Sequence, residues 1–178
     1  MLSIYQYLRQ IETDWRSWSI AWTDERCLPI EHPERNSRQA FVTWLSHVPI
    51  PKENVFVIPA ELGPVSGSDC YAQLLAGVDR FDLVILSLGE DGHVASIFQT
   101  DETSQSGIDV VPVFDSPKFP ANRVSLSLER LAKTRELILL AVGKQKAEAL
   151  ANLNNEGMGP ASQLAKQCCL SVWSSDIT

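Results

Sequence analysis

Residues 81–98, FDLVILSLGEDGHVASIF, constrain the fold of this chain more than any other stretch. Residues 81–87 form a nearly unbroken apolar run, rich in Val, Ile and Leu, that stops at Gly89. A run this short and this apolar reads as a strand buried on both faces, as in a parallel sheet. The character then changes within a few residues, through Gly89, Glu90, Asp91, Gly92 and His93. Two glycines bracket two carboxylates, and a histidine follows at once. Residues 94–98 are apolar again and read as the start of a helix. Strand, tight polar loop and helix in that order predict a loop at the carboxyl end of a strand in an open α/β sheet, where ligands bind.

The rest of the chain alternates in the same way. Ile4, Leu8 and Ile11, joined by Tyr7, have helical spacing. Residues 19–22 read as a strand. Residues 37–47 read as a helix capped by Asn36, with Phe41, Val42 and Leu45 facing inward. Residues 54–59 are a short strand, 61–68 a Gly/Ser/Pro loop, and 69–78 a helix. Strands follow at 109–114 and 136–142, the latter a second unbroken apolar run. Helices are expected at 129–134, 144–154 and 161–166, and a final strand at 169–173. This alternation predicts an α/β fold of Rossmann-like type, with a mostly parallel sheet and helices on both faces. At 178 residues the chain is expected to form a single domain, 1–178.

Composition narrows the function. The formal charge of −7 argues against nucleic-acid binding by the surface as a whole, while leaving room for a local basic pocket. Cys27, Cys70, Cys168 and Cys169 make no C-x-x-C pair and no zinc pattern, and they read as reduced thiols. The adjacent pair is read as alternating on a strand. His32 and His47 have no ligand spacing to His93 and read as surface residues. No metal and no cofactor are expected. No signal peptide or membrane-length apolar run is present, so the expectation is a cytoplasmic protein without a membrane partner.

Four polar stretches carry chemistry. In the Gly89–Gly92 loop, glycines permit positive φ and close backbone approach, and N–H groups at a helix start favour an anion or an oxyanion. A histidine placed there suits general-base work near neutral pH; the plainer reading is a βα turn with a solvent-facing ring. Asp24, Glu25 and Arg26 follow a strand, where a carboxylate pair and a guanidinium fork make either a ligand site or a solvated turn. Lys118 and Arg123 sit in a rigid proline loop, SPKFPANR. Lys144 and Lys146 open a helix after Gly143, where either an anion site or a solvated turn fits.

These stretches together resemble the 6-phosphogluconolactonases. LSLGEDGHVASIF fits their Leu-Gly-x-Gly-x-Asp-Gly-His-x-Ala-Ser-Leu-Phe loop, with Ser87 at the first glycine. Trp22, Asp24, Glu25, Arg26 and Pro29 complete a Trp-x-Asp-Glu-Arg-x-x-Pro motif. Asn36, Ser37 and Arg38 cover three places of Ser-Asn-x-Arg, with Arg35 for the serine. Residues 116–123 match Ser-Pro-Lys-Pro-Pro-x-x-Arg except at Phe119, and Gly143 to Ala147 match Gly-x-x-Lys-Ala. The resemblance runs from Tyr5 to Asp176. It implies hydrolysis of 6-phosphoglucono-1,5-lactone, a small-molecule sugar phosphate, without metal or cofactor. His93 would be the general base and Asp91 its orienting partner. Asp24, Arg26, Asn36, Gly89, Gly92, Lys118, Arg123 and Lys146 would bind substrate. The family places a strand and a Gly/Ser-rich loop before the first helix, so the chain reads as N-terminally short. An apolar patch left there would favour a homo-oligomer. Two alternatives stay open: a non-catalytic sugar-phosphate-binding homologue, and a glucosamine-6-phosphate deaminase, whose histidine is followed by a different sequence.

Overall fold

The structure, a computed structural model, describes residues 2–99, 107–154 and 159–176. The chain opens with helix α1 (Leu2–Leu8) and continues through β1 (Ile20–Ala21), β2 (Asp24–Arg26) and α2 (Asn36–Thr43). Next come β3 (Val55–Phe56), α3 (Pro64–Leu74) and β4 (Phe81–Ser87). β5 (Val110–Val113), β6 (Arg123–Leu126) and α4 (Leu128–Ala132) follow. The chain ends with β7 (Thr134–Val142), α5 (Ala147–Ala151), α6 (Gly159–Gln167) and β8 (Leu170–Ser175). The expected α/β alternation is present. No described helix is long and apolar enough to cross a membrane.

The strands fall into three sheets. β4, β7 and β8 form a parallel sheet in that order, and β1 pairs in parallel with β3. β2, β6 and β5 form a third, antiparallel sheet. Among the described residues β1 pairs with β3 alone and β4 with β7 alone, so each keeps one free edge. Both strands line the same cavity of about 910 Å³.

The register of β4 against β7 sets Val84 beside Leu137 and Leu86 beside Leu139, and all four are buried. The opposite face differs from the expectation of two-sided burial. Leu83 is 47% exposed, and with Ile85, Ile138 and Leu140 it borders a cleft of about 340 Å³ beside α1. That helix covers the face only in part, and its Tyr7, with Ile11 just beyond it, remains exposed.

Other local expectations are corrected by packing. Residues 94–98 make a turn, not a helix: Val94 bridges Ile97 and Ala95 takes φ 51°. The α2 residues Phe41 and Val42 are exposed, and Ser37 and Ala40 face the core instead. Helix α3 begins at Pro64, inside the stretch read as a loop. Proline fits the first helical turn. Gly67 lets α3 lie close to its neighbours, since an added Cβ would stand 3.1 Å from both the Pro59 oxygen and Val124 Cγ2. Cys168 and Cys169 precede β8, not on a strand as expected.

Asn36 does not cap α2. The cap comes from Glu25 on β2, which is fully buried. Its Oε1 accepts the N–H of Arg26 and of Asn36, and its Oε2 accepts that of Ser37, each at 2.8 Å. Arg35 Nε lies 3.5 Å from Glu25 Oε2. Arg35 also donates to Glu61 and to the Ile58 carbonyl, both at 2.7 Å. Glu25→Ala should therefore cost about 3–5 kcal/mol, the penalty for stranding a buried cation. A urea titration checks this, and a midpoint within error of the parent would contradict it.

Candidate active site

β1 and the whole length of β4 line the large cavity, and the chain after β7 reaches it through Lys146. After β1 the chain delivers Asp24, after β4 it delivers His93, and after β7 it delivers Lys146, all in the wall. Arg26, Asn36, Gly89, Lys118 and Arg123 complete the set, so eight of the ten residues picked from sequence line one cavity. Asp91 and Gly92 stand just behind, in the loop that carries His93.

That loop is closed on itself. The Gly89 N–H donates to the His93 carbonyl at 2.8 Å and the Gly92 N–H to the Gly89 carbonyl at 3.2 Å. Both donors are thus spent inside the loop, contrary to the expectation that they would face an oxyanion. Gly92 instead supplies a positive φ of 82°. Gly89 supplies room, because a Cβ there would stand 2.0 Å from His93 Nδ1 and 2.6 Å from Asp91 Oδ1. The Gly92 carbonyl accepts the Ala161 N–H at 3.1 Å, which docks the loop on α6.

His93 is held from two sides. Its Nδ1 lies 2.5 Å from Asp91 Oδ1, and its ring packs on Phe98 with centroids 4.6 Å apart. A carboxylate on Nδ1 favours the tautomer that keeps the proton there and leaves the Nε2 lone pair free. Burial works against the Asp91 carboxylate, but the His93 bond and charge and the loop N–H groups outweigh it, so its pKa falls below the ordinary value. Asp91 therefore stays ionised and accepts.

Asp24 behaves in the opposite sense. Crowding by protein raises its pKa, helped by Glu25 and opposed by the Ser96 hydrogen bond, Arg26 and Arg123. Asn36 orients it, donating from Nδ2 to the Asp24 carbonyl at 3.0 Å and to Oδ1 at 3.3 Å. Burial, with the nearby charges of Asp24 and Glu25, also pushes Tyr5 up to about 12.

The four cations differ in freedom. Arg26 donates from Nη1 to the Glu34 carbonyl, and its Nε is buried without a hydrogen-bond partner. Lys146 lies 3.8 Å from Glu90. Lys118 is exposed on the proline loop. Arg123 is buried and its fork is occupied, reaching the carbonyls of Pro120 at 3.1 Å, Lys118 at 2.8 Å and Phe119 at 3.5 Å. It shapes the loop that presents Lys118. Burial lowers its pKa, and Asp24 counters that.

Sequence reasoning missed Glu25, Arg35 and Ser96 as site-building residues. Glu25 and Ser96 lie inside the quoted motifs, but nothing in their spacing says which neighbours they reach. The Asp24–Ser96 contact spans 72 positions. The polar stretch 99–107, whose sequence reads as an exposed loop over the site, falls at 100–106 outside the described residues.

A histidine–carboxylate pair and several cations thus stand where open α/β sheets place their ligands, outside the carboxyl ends of the strands. Residues 1–173 match the family model described as glucosamine-6-phosphate isomerases/6-phosphogluconolactonase, and the chain belongs to that family. It is 34% identical, over 92% of its length, to 6-phosphogluconolactonase 3, chloroplastic, of Arabidopsis thaliana, covering 55% of that protein. Against the 6-phosphogluconolactonase of Streptomyces coelicolor it is 40% identical over 78% of its length, covering 59% of the relative. The chain thus spans little more than half the length of these two relatives. The crystal structure of 6-phosphogluconolactonase from Thermotoga maritima superposes with a TM-score of 0.88 at 26% identity, covering 97% of this chain and 79% of that one.

The crowding at Gly89 gives a direct test. Gly89→Ala should leave the fold intact, because the clash falls on the His93 ring and not on backbone. It should break the Asp91–His93 bond. The Nδ1 proton resonance of His93 reads this, and an unchanged resonance in the variant would contradict the placement.

Proposed function

We propose that this chain hydrolyses 6-phospho-D-glucono-1,5-lactone to 6-phospho-D-gluconate. The observation that carries the reading is His93, held through Nδ1 by Asp91 and set in the wall of a cavity that also presents Arg26, Lys118 and Lys146. The relatives named above, which bear the name of that activity, support it.

In this mechanism water adds to the lactone carbonyl while His93 Nε2 takes its proton. The carbonyl becomes an oxyanion and then re-forms as the C–O bond to the ring oxygen breaks. The protonated His93 returns its proton to that oxygen, which leaves as a hydroxyl, so nothing is gained or lost beyond one water. Asp91 stabilises the imidazolium formed between the two transfers. Arg26, whose Nε lacks a protein partner, and Lys146 take the phosphate. Asp24, held by Asn36, accepts from a sugar hydroxyl.

Hydrolysis is measured with freshly made lactone, corrected for spontaneous ring opening. His93→Ala should lower kcat/KM by about 10²–10⁴-fold, and a variant as fast as the parent would refute the assignment. Lys146→Ala should raise KM for the phosphorylated lactone and leave the slow hydrolysis of unphosphorylated gluconolactone unchanged. An equal loss on both substrates would remove Lys146 from phosphate binding.

A further inference from the structure

We propose that Ser96 is a positioning residue whose hydroxyl ties the His93 loop to Asp24 and aims that carboxylate at a hydroxyl of the bound sugar. The inference rests on the sugar-phosphate reading of the cavity.

Ser96 is buried, and its single hydroxyl proton is committed. Oγ donates to Asp24 Oδ2 at 2.6 Å and accepts from Arg123 Nη1 at 3.4 Å. Its backbone N–H donates to Ser125 Oγ at 3.2 Å, and Ser125 Oγ donates on to the Leu126 carbonyl at 3.0 Å. The residue is therefore pinned at main chain and side chain. An ionised carboxylate offers about four acceptor sites. Ser96 takes one on Oδ2. Asn36 at 3.3 Å and Thr23 Oγ1 at 3.5 Å take two on Oδ1. Acceptor capacity remains, and Asp24 stands in the cavity wall.

The turn that places Ser96 is a costly one. Ala95 has φ 51°, in the left-handed region that a residue with a Cβ rarely enters. The Ile97 N–H closes the turn on the Val94 carbonyl at 2.9 Å. A relaxed turn would release the strain but swing the Ser96 hydroxyl away from Asp24. Since His93 lies three residues before Ser96, one hydrogen bond fixes both the base and the sugar-facing carboxylate against each other.

The groups around Asp24 set the sign of the pH effect. Glu25 and Arg26 face it from its own strand, Arg123 from β6, Tyr5 from α1, and Ser96 from the loop. Burial and Glu25 disfavour the carboxylate, while Ser96, Arg26 and Arg123 favour it. Removing the Ser96 hydroxyl therefore makes Asp24 harder to ionise and moves any acid limb that depends on it toward higher pH.

The test uses Ser96→Ala and Ser96→Thr with two readouts that need no turnover. The first is the carboxyl ¹³C titration of Asp24 in the free protein. The second is calorimetric binding of 6-phosphogluconate. Ser96→Ala should raise the Asp24 midpoint and weaken binding roughly tenfold or more, while Ser96→Thr should stay within about threefold of the parent. In an Asp24→Asn background the effect of Ser96→Ala on binding should vanish, and this comparison stands even if the single variant is less stable. An unmoved titration, a moved titration with parental binding, or an undiminished effect in the Asp24→Asn background would each overturn the proposal. If binding responds as expected but the parent hydrolyses no lactone, Ser96 keeps its role and the hydrolase reading falls.

Discussion

The buried Glu25 carboxylate holds the site's framework in place. It sits on β2, between Asp24 and Arg26, and points away from the cavity into the protein. Three backbone N–H groups and Arg35 converge on it. Two of those N–H groups start α2, so the charge does the work of a helix cap from another strand. Arg35 passes the constraint on to the Ile58 carbonyl and Glu61, just before α3. Tyr71 of α3 returns it to β1, since its hydroxyl takes the Trp22 N–H and gives to the Trp22 carbonyl, both at 2.9 Å. Glu25, Arg35 and Tyr71 thus cross-link β2, α2, α3 and the segment after β1. Removing one partner of a buried charge is strongly destabilising, so these links hold one arrangement.

On that frame two carboxylates take opposite electrostatic positions. Asp91 is partly exposed and close to His93, and its pKa falls. Asp24 is crowded and beside Glu25, and its pKa rises. The linkage has opposite signs. Asp91 contributes stability above its unfolded pKa, and that contribution is lost as pH falls through its depressed folded value. Asp24 does the reverse: the fold favours its neutral form, so ionising it above the ordinary carboxylate pKa takes stability away. Raised carboxyl pKa values accompany functional sites and structural ion-pair networks alike, and Asp24 stands in the cavity wall.

The sequence made the parallel strands legible because their apolar runs are self-contained. Residues 81–87 and 136–142 need no partner to be read, and both are strands. The loop after β4 was also legible, since glycine, carboxylate and histidine in that order allow few arrangements. What failed depended on distant partners. Residues 94–98 looked helical because they are apolar, but Ser96 answers to Asp24 and Ser125, which local pattern cannot see. Asn36 looked like a cap because it precedes a helix, but Glu25 had already filled that role. Gly89 looked like an oxyanion donor, yet its value lies in the space it leaves for the His93 ring. Arg123 looked like a ligand, and nothing local shows that its guanidinium also holds the Lys118 and Pro120 carbonyls and Ser96. In each case a residue's type was read correctly and its partner was not.

The sheet arrangement explains why such cross-links matter here. β1–β3 and β4–β7–β8 share no ladder among the described residues, yet both contribute to the wall of one cavity. Their relative placement cannot come from strand pairing. It comes from the antiparallel sheet, whose β2 edge follows directly on β1 and whose β6 carries Arg123 and Ser125 toward the β4 loop. Ser96 is where that loop meets this sheet. A hydrogen bond between two exposed groups adds little to a fold. A buried one, such as that from Ser96 to Asp24, ties the loop of His93 to the strand of Asp24.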